Sequence, residues 1–63
     1  MAIYRLTTPA GRERLIGPTG LAWLVDDADL DQPTVDAIEL LDVGERLPPD
    51  ADFVDGWTLE RVQ

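Results

Sequence analysis

Residues 2–16 read Ala2-Ile3-Tyr4-Arg5-Leu6-Thr7-Thr8-Pro9-Ala10-Gly11-Arg12-Glu13-Arg14-Leu15-Ile16, and this stretch decides the fold class. Over residues 2–7 the side chains alternate. Ala2, Tyr4 and Leu6 fall on one side, and Ile3, Arg5 and Thr7 on the other, which is the period of a strand. Pro9 and Gly11 then interrupt, glycine supplying the left-handed conformation that a short hairpin loop requires. Residues 2–7 and 12–16 are therefore expected to pair as an antiparallel hairpin.

Working outward, residues 57–62 (Trp-Thr-Leu-Glu-Arg-Val) alternate again, with Trp57 and Leu59 on one side, and are expected to add a C-terminal strand. The clearest helix is 33–43. Pro33 suits a first helical turn, Asp31 or Gln32 stands at the cap position, and Val35, Ile38 and Leu41 repeat every three residues. Ala37 and Leu40 widen that apolar face, and Gly44 supplies a stop. Residues 17–20 (Gly-Pro-Thr-Gly) read as a turn. Residues 21–25 fit either a helical or a buried-strand pattern, and their shortness favours a strand. Residues 45–56 read as loop, with Phe53 and Val54 as apolar plugs. The expected architecture is one α+β domain spanning 1–63: a small antiparallel sheet, made of the N-terminal hairpin and the C-terminal strand, with one helix at 33–43 across a face.

The composition excludes more than it assigns. The chain has 63 residues, five arginines against 13 acids and a net charge of −8, with no Lys, His, Cys, Ser or Asn. Without Cys or His, neither a disulfide nor a structural zinc site can staple so small a domain. Burial against a partner is the remaining way to supplement its core. General-base histidine, Ser or Cys nucleophiles and Schiff-base lysine are all absent, so a non-enzymatic role is expected, with no cofactor. The longest apolar run, Leu21 to Val25, is far below the ~20 residues of a membrane span. The first five residues lack the basic and apolar regions of a signal peptide, so use inside a cell or in a virion is expected. Arginine to the exclusion of lysine points to a GC-rich coding sequence, as in a high-GC host or one of its phages.

Charge is unevenly distributed. Three arginines against Glu13 give residues 1–25 a net +2, whereas twelve acids against Arg46 and Arg61 give residues 26–63 a net −10. Such polarity aims one end of a molecule at a charged partner, or one copy at the next. Arg5, Arg12 and Arg14, together with Trp23, are the candidate docking residues, aromatics and arginine being enriched at interface hot spots. Trp57 is assigned to the core. The acidic series Asp26, Asp27, Asp29, Asp31, Asp36 and Glu39, continued by Asp42, Asp50, Asp52 and Asp55, offers a second candidate. In an extended segment, Asp29 and Asp31 would lie about 6.6–6.8 Å apart, close to the spacing of phosphates along a nucleic-acid strand. Asp27, Asp29, Asp31, Asp36 and Glu39 would then occupy the basic groove of a nucleic-acid enzyme. Direct nucleic-acid binding is disfavoured by the net charge.

Two motifs fail on inspection. Asp27-x-Asp29-x-Asp31 opens like a calcium-binding EF-hand loop, but Gln32 stands where glycine makes the turn, and Ile38 where a bidentate glutamate belongs. Gly17-Pro18-Thr19-Gly20 lacks the Gly-Lys-Ser/Thr of a phosphate loop, and Pro18 removes a backbone donor. The functional expectation is a non-catalytic protein–protein interaction module, such as a phage-encoded accessory or structural protein that docks on a capsid or tail through the arginine hairpin and one apolar strand edge. The alternative is an acidic nucleic-acid mimic that inhibits a host or defence enzyme.

Overall fold

The structure is a computed structural model that describes residues 1–51 and 53–63. The hairpin forms as its sequence predicts. Strand β1 (Tyr4–Thr7) pairs antiparallel with β2 (Glu13–Ile16), Tyr4 opposite Ile16 and Leu6 opposite Arg14. Thr8 N–H donates to the Arg12 carbonyl (2.8 Å) and Gly11 N–H to the Thr8 carbonyl (2.9 Å), closing the turn. Gly11 sits at φ +86°, where a side chain would be strained. The C-terminal strand β3 (Thr58–Arg61) lies on the other side of β1, with Leu59 opposite Leu6, so the sheet order is β2-β1-β3. Val62 N–H donates to the Ile3 carbonyl and Ile3 N–H to that of Gln63, extending this pairing beyond the strands.

Two helices stand between the hairpin and β3. Helix α1 covers Pro18–Ala28, so residues 21–25 are helical rather than extended, and residues 17–20 are the entry to a helix rather than a free turn. The physical reasons are local. Gly17 is extended at the cap, and Pro18 presets the first turn. Leu21 and Leu24 pack against the core while Trp23 points away, a spacing that only a helix satisfies. The helix ends at Asp29, which is left-handed at φ +52°, with Leu30 N–H reaching back to the Val25 carbonyl at 3.1 Å.

Helix α2 covers Gln32–Glu39 and starts as expected: Asp31 is the cap and accepts from Thr34 N–H at 3.1 Å, with Pro33 in the first turn. It stops four residues before the 43 expected. Leu40 is 80% exposed, outside the apolar face, while Leu41 turns inward to the core. The Arg61 guanidinium donates to the Leu41 carbonyl (2.8 Å), satisfying an acceptor just past the helix with a cation, the charge favoured at that end. Gly44, at φ +91°, turns the chain between Asp42 and Glu45 instead of ending the helix. Residues 44–47 then run beside β3. Gly44 N–H donates to the Arg61 carbonyl (2.7 Å), Arg61 N–H to that of Glu45 (2.9 Å) and Leu47 N–H to that of Leu59 (2.8 Å).

Tyr4, Leu6, Ile38, Leu41, Leu47 and Leu59 form the buried cluster, flanked by Leu21, Leu24, Leu30, Phe53 and Trp57. Both strand-face assignments hold: Tyr4 and Leu6 point inward, as do Leu59 and Trp57. Phe53 plugs the cluster from the loop.

That loop is fixed by a close approach. Gly56 sits at φ +80°, and a Cβ there would lie 2.9 Å from Pro9 Cγ, whereas a Cβ at Gly44 would meet nothing within 4 Å. Gly44→Ala therefore carries the backbone cost alone, about 1–2 kcal/mol. Gly56→Ala adds an overlap with the hairpin loop, and its urea midpoint is expected to fall further than that of Gly44→Ala.

Candidate docking surface

The sheet has one closed side and one open side. Along β3, residues 44–47 take up the Leu59 carbonyl and both backbone groups of Arg61. Along β2 no described residue takes up the outward groups. In an antiparallel ladder, successive residues direct their N–H and C=O alternately toward one neighbour and the other. The Thr8–Arg12 pair fixes the phase, so Arg14 and Ile16 bond to β1 while Glu13 and Leu15 direct theirs outward. Glu13, Arg14 and Leu15 are exposed, Leu15 by 63%. This is a short, charged edge of four residues.

The four candidate docking residues do not form one patch. Arg14 in β2 and Arg12 just before it project toward the helix side of the sheet, because residues two apart share a face. Both are exposed and, among the described residues, neither has an ion-pair partner. Arg5 lies on the opposite, helix-free face and is committed there to Glu60 at 3.3 Å, the one ion pair among the described residues. With side chains 40% and 25% exposed, that pair contributes little to stability. Trp23 is 70% exposed on the solvent side of α1, one turn before Asp26 and Asp27. Leu15 was not singled out in the sequence. Its signal was present in the hairpin itself, since β2 becomes an edge once the C-terminal strand pairs with β1.

The acidic candidates are exposed but dispersed over two helices. Asp27 belongs to the last turn of α1, Asp29 to its left-handed exit, Asp31 to the α2 cap, and Asp36 and Glu39 to α2. The left-handed turn at Asp29 removes the extended geometry that would have spaced Asp29 and Asp31 like phosphates. Asp36 accepts from Gln32 Nε2 at 2.8 Å. Hydrogen bonds from the Thr34 hydroxyl, and then from its backbone N–H, hold the Asp31 carboxyl below its ordinary 3.8. Asp52 of the acidic series lies outside the described residues. Among the described residues, no three acidic side chains gather closely enough to hold a metal ion. No helix among them is long and apolar enough to cross a membrane.

An open cleft of about 660 Å³ lies between the 48–57 loop and the start of β3, lined by Leu47, Pro48, Phe53 and Trp57 together with Arg46 and Asp55. Asp55 is its one carboxylate among the described residues. The molecule exposes 4463 Å², about a tenth more than the ~4,000 Å² expected of a 7.0 kDa monomer. No known family model, curated protein or solved structure matches the chain.

The Asp31 cap has a pH signature. Its carboxyl titrates lower in the folded state than in the unfolded chain, so its contribution is complete above the ordinary carboxylate pKa. That contribution is lost as pH falls through the lowered value. Asp31→Asn keeps a capping oxygen but not the titration. The difference in Tm between the two proteins should therefore shrink on acidification from pH 5 toward pH 2. A difference independent of pH would contradict the cap. At the other helix end, Asp29→Gly relieves the left-handed strain and removes an anion from the carbonyl end of α1, raising stability by about 0.5–1 kcal/mol in urea unfolding.

Proposed function

We propose that the protein is a non-catalytic interaction module that docks on a larger protein assembly, of the kind a phage capsid or tail presents, in the host cytoplasm or the virion. The observation that carries this reading is the asymmetry of the sheet. One edge is bonded to residues 44–47, and the other carries backbone groups that no described residue takes up, the exposed Leu15, and Arg12 and Arg14 without ion partners among the described residues. Arg12 and Arg14 give a chain of net charge −8 a local attraction for an anionic partner surface beside that edge, although Arg46, on the β3 side, is likewise exposed without an ion partner among the described residues. Arg5 lies on the other face, paired with Glu60, and is not part of that contact. Trp23 supplies an exposed aromatic anchor on α1. Absence of His, Cys, Ser and Lys supports a role without catalysis.

A specific observation favours a second reading, inhibition of a nucleic-acid enzyme by acidic mimicry. Asp26 and Asp27 stand in the last turn of α1, where the helix dipole favours cations, and no basic residue offsets them in that turn. Carboxylates kept at an electrostatic cost fit a surface used against a basic groove, with Asp29, Asp31, Asp36 and Glu39 nearby in sequence.

The experiment is a pull-down of the tagged chain from its native source, washed in steps of rising salt. The docking reading expects a shell or tail protein that is retained at high salt and captured at least tenfold less by Arg12→Glu/Arg14→Glu. Equal capture by that variant overturns it. The mimicry reading expects instead a nucleic-acid enzyme that is released as salt rises, and that is lost when Asp27, Asp29, Asp31, Asp36 and Glu39 become the corresponding amides.

A further inference from the structure

We infer that the partner binds by strand addition: an extended segment of alternating acidic and apolar residues pairs with the outer edge of β2. This inference rests on the docking reading and specifies its geometry. The backbone supplies the first argument. Glu13 and Leu15 each direct an N–H and a C=O away from β1, and the two residues span one repeat of the ladder. An added strand meets the pairing it needs without any rearrangement of the hairpin.

Side-chain parity supplies the second. Residues directly opposite one another in a ladder share a face. A strand laid along β2 therefore places alternate residues against Arg12 and Arg14 on the helix side, and the residues between them against Glu13 and Leu15 on the open face. Arg12 and Arg14 are exposed without ion partners among the described residues, so the helix-side positions favour Asp or Glu. Leu15, 63% exposed, favours an apolar neighbour. Like charges directly opposite are destabilising, so the same arginines reject a basic strand. They also disfavour a second copy of this chain. Pairing β2 with itself brings two sets of arginines together between two bodies that each carry −8.

An edge strand tolerates proline where its N–H faces outward. Leu15 occupies such a position, so Leu15→Pro removes the docking donor while leaving the β1–β2 ladder in place. Leu15→Thr removes the apolar side chain and keeps the donor. The probe is a capped octapeptide alternating glutamate and valine, titrated to millimolar concentration at low salt into the ¹⁵N-labelled full chain. The expected result is amide shifts centred on residues 12–16, with slowed exchange of the Glu13 and Leu15 amides. Leu15→Pro should bind at least tenfold more weakly than Leu15→Thr, with its unfolding midpoint close to that of Leu15→Thr. Replacing glutamate by lysine in the peptide should abolish the response.

Several outcomes of the titration overturn the inference. They are shifts confined to the Phe53–Trp57 cleft or the acidic helices, equal binding by Leu15→Pro, and no response at millimolar peptide. Concentration-dependent shifts of the same residues without peptide would assign the edge to a second copy and also overturn it. The same two variants in the pull-down separate the levels of the argument. If Leu15→Pro is captured like the wild type, strand addition fails and docking stands. If the wild type captures no shell or tail protein, docking itself fails.

Discussion

Ile38 and Leu59 are, among the described residues, the two large side chains with no exposed surface, and they belong to a helix and a strand that are distant in sequence. Each contributes roughly 1.5–3 kcal/mol by burial, a large share of what a domain of this size can accumulate. With no disulfide, the cluster they belong to is what holds the sheet against α2. Tyr4 and Leu6 reach it from the central strand, Leu41 and Leu47 from the chain that leaves α2. Arg61 ties the same region together through polar groups, bonding the Leu41 carbonyl by its side chain and residues 44 and 45 by its backbone. Packing and hydrogen bonding thus converge on β3, the last strand in the chain.

That convergence explains the uneven sheet. Residues 44–47 bond along the β3 side, and no described segment bonds to the outer edge of β2. An uncovered edge is a liability unless it is short or charged. Here it is both, four residues long and carrying Glu13 and Arg14, with Arg12 beside it. The charges that keep uncharged strands from stacking on this edge are the ones that would select an acidic segment. Protection and recognition draw on the same residues.

Much of this was legible in the sequence, and the failures have physical causes. Alternation in residues 2–7, with Gly11 in the loop, identified the hairpin, and Asp31 with Pro33 identified the start of α2. Residues 21–25 were ambiguous because Leu21, Leu24 and Val25 suit a buried strand as well as a helical face, and the deciding evidence lay outside them, in the cap at Gly17–Pro18. The end of α2 was misjudged because Leu40 and Leu41 continue the apolar run. Beyond the helix end, the Leu41 carbonyl is held by a tertiary contact with Arg61, which no local pattern contains. The arginines were legible as a charge cluster but not as two faces. Only the register, with Leu6 opposite Arg14 and Arg5 opposite Glu60, separates them.

The central claim is that β2 offers a free edge of defined phase. Amide hydrogen exchange of the isolated protein, at micromolar concentration and read residue by residue, tests it most directly. The account predicts alternation along one strand: Arg14 and Ile16 protected with β1, Glu13 and Leu15 exchanging close to the unfolded rate. Protection of Glu13 and Leu15 in the free monomer would mean that the edge is already covered. Fast exchange at Arg14 and Ile16 would mean that the hairpin is not paired in this register. Either result would contradict the account.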